Sequence, residues 1–209
     1  MIDFTAVRKM ERTVAELGTT FTKEDLRVAT QAMVDRMLAE IADCVDADVS
    51  FVPDDPAAHD AFAASESELR LPWTLGHVVA HATATAEEAA AIAAELARGV
   101  PPRGGRSRRE VPWHTVTTVE QCRQRLRESL RMRVASLDMW PDEPDLRNSY
   151  VPREGAAPIN ATTRFLNGLK HDDDHVFQIA EIVRQATAAR KQTQAHRRPA
   201  RGDAGGAPV

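Results

Sequence analysis

Histidines recur in this sequence in two pairs whose spacing suits metal binding. His171 and His175 bracket three aspartates in the segment HDDDH, and His77 and His81 lie four residues apart earlier in the chain. Side chains four residues apart share one face of a helix, so each pair could present two imidazoles to one transition metal ion. Because catalytic zinc sites typically use three protein ligands, either pair needs a further ligand from elsewhere. Two such pairs together favour a metal site more than either pair alone.

The three aspartates between His171 and His175 are predicted to have different roles. At about 100° per residue, Asp172, Asp173 and Asp174 fan around a helix and cannot all bind one ion, which disfavours a magnesium-type acidic motif. Asp174 follows His171 by three residues, so it could orient an imidazole through the second ring nitrogen. Asp172 and Asp173 are predicted to point away from the metal and to be solvated.

Four segments of the chain carry the periodicity of amphipathic helices, and strand signals are nearly absent. The first opens with a capping box at Thr22 and the third with Thr117 and Glu120. The second is the alanine-rich segment 72–98, and the fourth begins after Asn160, a good N-cap residue. Four amphipathic stripes joined by loops predict an all-α fold, with a four-helix bundle as the natural way to bury them.

Segments at both ends of the chain fall outside the predicted bundle. The predicted organisation is a helical extension over residues 1–21, with its short helix at about 5–17, then the bundle over 22–190. Residues 191–209 are rich in Pro, Gly, Ala and Arg without an apolar period, which predicts a disordered tail. Pro and Gly also predict a loop over residues 100–113.

Composition excludes several classes of protein. A net charge of −4 argues against a nucleic-acid binder, which is usually basic. The chain has no apolar run long enough to span a membrane and no signal-peptide pattern, so a reduced cytoplasmic protein is expected. Its two cysteines, Cys44 and Cys122, cannot form a disulfide framework. Cys122 fits the apolar stripe of the third helix, and Cys44 lies near a helix end.

Two blocks of sequence resemble the DinB-like superfamily, which includes mycothiol-dependent maleylpyruvate isomerases and bacillithiol S-transferases. The blocks are LPWTLGHVVAH, with a histidine eight residues after its tryptophan, and GLKHDDDHVFQI. The resemblance implies a DinB-like four-helix bundle that binds one divalent metal through His81, His171 and His175. It also places Gln178 beside the site and leaves His77 as a pocket residue. Zinc is the first expectation for the metal, with nickel and iron as alternatives.

The resemblance further implies a metal-dependent transferase or isomerase that activates a low-molecular-weight thiol toward a small electrophilic substrate. Neither cysteine lies near a metal-binding motif, so the thiol would be a cosubstrate. The arginines of the 103–109 loop could meet its carboxylates or could simply be solvated. A metal-dependent hydrolase using activated water and a non-catalytic helical scaffold are the alternatives. The oligomeric state stays open, with a homodimer as one alternative.

Overall fold

The computed structural model describes residues 2–60, 66–101, 112–152 and 154–197, and these residues are mostly helical. A short 3₁₀ helix lies at Trp113–Thr115, and the two strands of the described residues pair antiparallel. The predicted all-α class is confirmed, since each strand has two residues only. The elements are α1 (Thr5–Arg8), α2 (Val14–Gly18), α3 (Lys23–Glu40), α4 (Asp46–Val49), α5 (Leu75–Ala97), α6 (Val119–Asp138), β1 (Ser149–Tyr150), β2 (Ile159–Asn160) and α7 (Ala161–Arg197).

Side-chain caps fix where the long helices begin. Thr22 and Asp25 form the predicted capping box of α3, each accepting a hydrogen bond from the other's backbone N–H. Asn160 Oδ1 accepts from the Thr163 N–H at 3.0 Å, which confirms the predicted N-cap of α7. These bonds satisfy backbone donors that the first turn of a helix leaves without an intrahelical partner.

The capping box of α6 lies one residue later than predicted. Thr118 accepts from the Gln121 N–H, and Gln121 Oε1 accepts from the Thr118 N–H at 2.9 Å. The same Gln121 oxygen also accepts from the Thr117 N–H at 2.8 Å, so Thr117 precedes the box rather than forming it with Glu120. A glutamine amide serves as well as a carboxylate in this motif.

The ends of the chain depart from the predicted organisation. The N-terminal extension holds α1 and α2 instead of one helix over 5–17, because Met10 takes a positive φ of 58° between them. At the other end α7 continues through Arg197, so the predicted tail does not begin at residue 191. Residues 198–209 and the 103–109 arginine loop lie outside the described residues.

The four long helices pack around a shared apolar core, in which α3 and α5 each contact both α6 and α7. His81 of α5 lies beside His171, and Ala86 lies beside Gly168, so α5 and α7 run antiparallel. In this arrangement α6 and α7 lie at opposite corners of the core. Within the described residues, no helix combines the length and apolarity that a membrane span requires.

A close approach between α5 and α7 positions the histidines. A Cβ built on Gly168 would lie 2.8 Å from the Ala89 Cβ, a separation that real side chains do not adopt. The glycine and the alanines of α5 therefore let the two backbones come close. Because His171 lies one turn beyond Gly168, this contact brings the imidazoles of α5 and α7 within reach of one another.

Candidate metal centre

Three imidazoles from α5 and α7 converge on one point. The Nε2 atom of His171 lies 3.1 Å from Nε2 of His81 and 3.3 Å from Nε2 of His175. One ring nitrogen from each of the three lies within 4.8 Å of the others, and all three residues are partly buried. Tetrahedral zinc with Zn–N bonds of about 2.0–2.1 Å would separate its nitrogen ligands by about 3.3–3.4 Å. The donor set and its spacing therefore fit a three-histidine metal site.

Hydrogen bonding among the three rings accounts less well for the same geometry. His171 Nε2 approaches the Nε2 atoms of both His81 and His175, yet a neutral imidazole Nε2 is either one donor or one acceptor. A single N–H on His171 can point at only one of its two neighbours. A metal ion would accept the lone pairs of all three Nε2 atoms at once, which is the arrangement the spacing matches.

Gln178 fixes the orientation of one imidazole. Its Oε1 lies 2.8 Å from His175 Nδ1, one turn along α7, and accepts the hydrogen bond when Nδ1 carries the proton. That tautomer leaves the Nε2 lone pair directed toward His81 and His171. A second-sphere acceptor of this kind is a common companion of metal-bound histidine. Gln178 therefore contacts one of the three converging imidazoles.

His77 lies outside the group of three. Its ring is stacked between Trp73 and Trp113, with centroid separations of 4.4 and 4.5 Å, and its side chain is buried. Trp73 also packs against the rings of His81 and His175, at 4.7 and 5.9 Å between centroids. The indole of Trp73 therefore packs against the His77 ring and also against two of the three converging imidazoles.

The predicted solvation of Asp172 and Asp173 is wrong. Asp172 is 1% exposed and pairs at 2.5 Å with Arg133 of α6, itself 2% exposed. Asp173 is 3% exposed and pairs with Arg8 and, at 2.9 Å, with Arg36 of α3. Burial raises the pKa of Asp172, while the Arg133 guanidinium opposes that shift. Both carboxylates face away from the imidazoles, as predicted, but toward arginines instead of water.

Asp174 is exposed to solvent and forms an ion pair with a lysine of its own helix. Its carboxylate pairs with Lys170 one turn earlier, with the Asp174 side chain 43% exposed. The structure therefore gives Asp174 a surface ion pair, where the sequence predicted a contact with an imidazole. Exposed i, i+4 pairs of this type contribute about 0.3–0.5 kcal/mol.

A cavity of about 250 Å³ opens beside His175, one of the three histidines. His175 and Gln178 form one wall, and the segment before α5 forms the other, with His59 and Asp55 as its titratable groups. Among the described residues that line it, none is a lysine or an arginine. The remaining lining residues are Ala57, Ala58, Leu71 and Trp73.

Both cysteines are buried away from solvent. Cys122 is fully buried and Cys44 is 8% exposed. Burial raises the pKa of Cys122 to about 12 and also raises that of Cys44. Because the thiolate is the reactive form, neither side chain suits nucleophilic chemistry at neutral pH.

No protein-family model, curated protein or solved structure matches this chain. The resemblance to the DinB-like superfamily therefore depends on the two sequence blocks alone. The metal centre depends on the geometry of its three histidines, which is independent of that resemblance.

Sequence reasoning missed two kinds of contact around the site. The first is the Trp113 stack on His77, for which the sequence carries no signal because Trp113 lies in the 3₁₀ helix between α5 and α6, far from His77 in sequence. The second is the pairing of the aspartates, and here a signal existed. Arg133 falls in the buried stripe of α6, between Ser129 and Leu137, and an arginine in such a stripe requires a buried acidic partner.

Proposed function

We propose that this protein is a metal-dependent enzyme with a DinB-like four-helix bundle, which activates a low-molecular-weight thiol for transfer to a small electrophile or for its isomerisation. The observation that supports it most is the convergence of the Nε2 atoms of His81, His171 and His175 at spacings that suit a tetrahedral metal. Zinc is the metal proposed, since three neutral imidazoles suit it and leave a coordination position open.

The protein's own residues would hold and shield this centre. When bound, the metal would supply Lewis-acid chemistry that lowers the pKa of a coordinated thiol. Gln178 holds His175 in the tautomer that presents Nε2 to the centre. Trp73 covers the rings of His81 and His175, which limits access of water from that side.

The adjoining cavity supports a small substrate. Its volume of about 250 Å³ suits a molecule of modest size, and its wall reaches the centre at His175. Leu71 and Trp73 offer apolar contact, whereas Asp55 and His59 offer polar contacts on the wall that faces His175 and Gln178. A carboxylate on that wall favours a neutral or cationic group of the substrate over an anionic one.

A thiol cosubstrate follows from the state of the cysteines. Cys44 and Cys122 are buried with raised pKa values, so the protein offers no reactive thiol of its own among them. Thiol chemistry at the metal centre therefore needs a thiol from solution.

Activity assays with and without thiol test the proposal. The zinc-loaded protein would be mixed with a panel of small electrophiles, in buffer alone or with mycothiol, bacillithiol or glutathione. We expect consumption of an electrophile that requires both zinc and one thiol and that His171→Ala abolishes. Zinc-dependent turnover that no thiol accelerates would replace thiol transfer with hydrolysis. The absence of zinc-dependent turnover across the panel would contradict the proposed enzyme.

A further inference from the structure

Consecutive residues of HDDDH contact different parts of the molecule. At about 100° per residue, and taking His171 as zero, His175 lies at about 40°, Asp172 at about 100°, Asp173 at about 200° and Asp174 at about 300° around α7. The histidines meet α5, Asp172 meets α6, Asp173 meets α1 and α3, and Asp174 meets solvent and Lys170. Every direction around this turn of α7 therefore has a defined partner.

We propose that Asp172 and Asp173 are positioning residues for the metal centre, which set the rotation of α7 about its axis and so aim His171 and His175 at His81. The proposal rests on the proposed metal site. The two ion pairs lie about 100° apart around the axis of α7, so the helix cannot rotate about that axis and keep both pairs. Rotation by one residue position would turn both imidazoles away from α5.

The Asp172 pair crosses the core between opposite corners. Asp172 lies at about 100°, between the histidines, which meet α5, and Asp173, which meets α3, so it points between these two helices toward the centre of the four. Arg133 reaches it there from α6, and both side chains are almost fully buried. A buried pair of this kind is often no more stable than apolar residues of the same volume. Its directional geometry distinguishes it from apolar packing, which would tolerate a range of rotations.

The ion pairs of Asp173 lie on the side of α7 opposite the histidines. One carboxylate oxygen faces Arg36 of α3 and the other faces Arg8 of α1. Both guanidinium groups lie over the Phe177 ring, at 5.2 and 5.4 Å from its centroid. Phe177 follows Asp173 by four residues on the same helix. Arg8 of α1 and Arg36 of α3 therefore each contact two successive turns of α7, at Asp173 and at Phe177.

A double substitution separates positioning from stability. Arg133→Met with Asp172→Leu replaces the buried pair by apolar side chains, which often leaves stability unchanged or higher. We expect the thermal midpoint of the metal-free protein to be maintained, while cobalt affinity falls about 10-fold or more, the scale for lost second-sphere support. The visible absorption of the cobalt form should also change. Unchanged affinity and spectrum at unchanged stability would overturn the role of Asp172.

A second variant tests the ion pairs of Asp173 from the side of its two arginines. Arg8→Gln with Arg36→Gln removes the partners of Asp173 from partly exposed positions, and we expect weaker cobalt binding with an altered spectrum. Asp174→Asn is the matched control and should bind cobalt like the wild type. Wild-type affinity and spectrum in the double variant would overturn the role of Asp173. Failure of the wild type itself to bind cobalt would instead overturn the metal site.

Discussion

His77 and His81 share a helix face but have different surroundings. His81 Nε2 lies 3.1 Å from His171, whereas His77 is held between two indole rings. We expect His81→Ala to abolish metal retention, because a three-ligand site cannot spare a ligand. His77→Ala should weaken binding several-fold at most, through the displacement of Trp73. Competitive titration with a zinc indicator would measure both, and equal loss from the two changes would point to a four-histidine site.

Gln178 is expected to support zinc binding through its hydrogen bond to His175. Gln178→Leu removes the acceptor from His175 Nδ1, so we expect zinc affinity to fall about 10- to 100-fold with little change in helix content. Gln178→Glu keeps an oxygen acceptor and should retain affinity. Gln185→Leu is the matched control, since Gln185 lies on the same helix but bonds to the backbone of Asp54. The titration would disprove a role for Gln178 if its leucine variant matched that control.

The cysteines give a prediction that needs no metal. Because burial raises the pKa of Cys122 to about 12 and raises that of Cys44, we expect both to react slowly with a disulfide reagent in the native protein at pH 8. Two thiols per chain should react rapidly in denaturant. Rapid labelling of the native protein would show an available thiol and would remove the argument that the thiol comes from solution.

At the scale of elements, the approach of α5 to α7 depends on Gly168. Alanine in a helix is ordinarily favoured over glycine by about 1 kcal/mol. At this position its Cβ would collide with Ala89, and overpacking costs about 1–3 kcal/mol. We therefore expect Gly168→Ala to lower the free energy of unfolding by about 1 kcal/mol and to weaken zinc binding. Urea denaturation would measure the first effect, and a gain in stability would contradict the close contact.

The sequence predicted the helices better than the contacts between them. Caps such as Thr22 and Asn160 and the apolar stripes are local signals, so the long helices could be located from the sequence. The i, i+4 spacing of His171 and His175 is also a local signal, whereas the choice of His81 over His77 came from the resemblance to the DinB-like superfamily. Arg133 in the buried stripe of α6 indicates that it has a buried acidic partner. That the partner is Asp172 depends on which helices lie at opposite corners, a tertiary fact that no local pattern contains. The break at Met10 likewise has no local signal.

For the whole molecule, a metal ion would join helices that are distant in sequence. His81 and His171 are separated by 90 positions, so coordination would cross-link α5 to α7 in the folded state alone. A ligand that binds only the folded state stabilises it by mass action, by about 2.7 kcal/mol at one hundred times its dissociation constant. Metal content and folding stability should therefore rise together.

Elemental analysis of the purified protein tests the metal centre most directly. The measurement needs protein freed of any histidine tag, equilibrated with zinc and then dialysed, beside the variant with His171→Ala and His175→Ala. We predict about one transition metal ion per chain in the wild type and none in the variant, with equal helix content by circular dichroism. A wild-type protein without bound metal, or a variant that retains as much metal as the wild type, would contradict the three-histidine site.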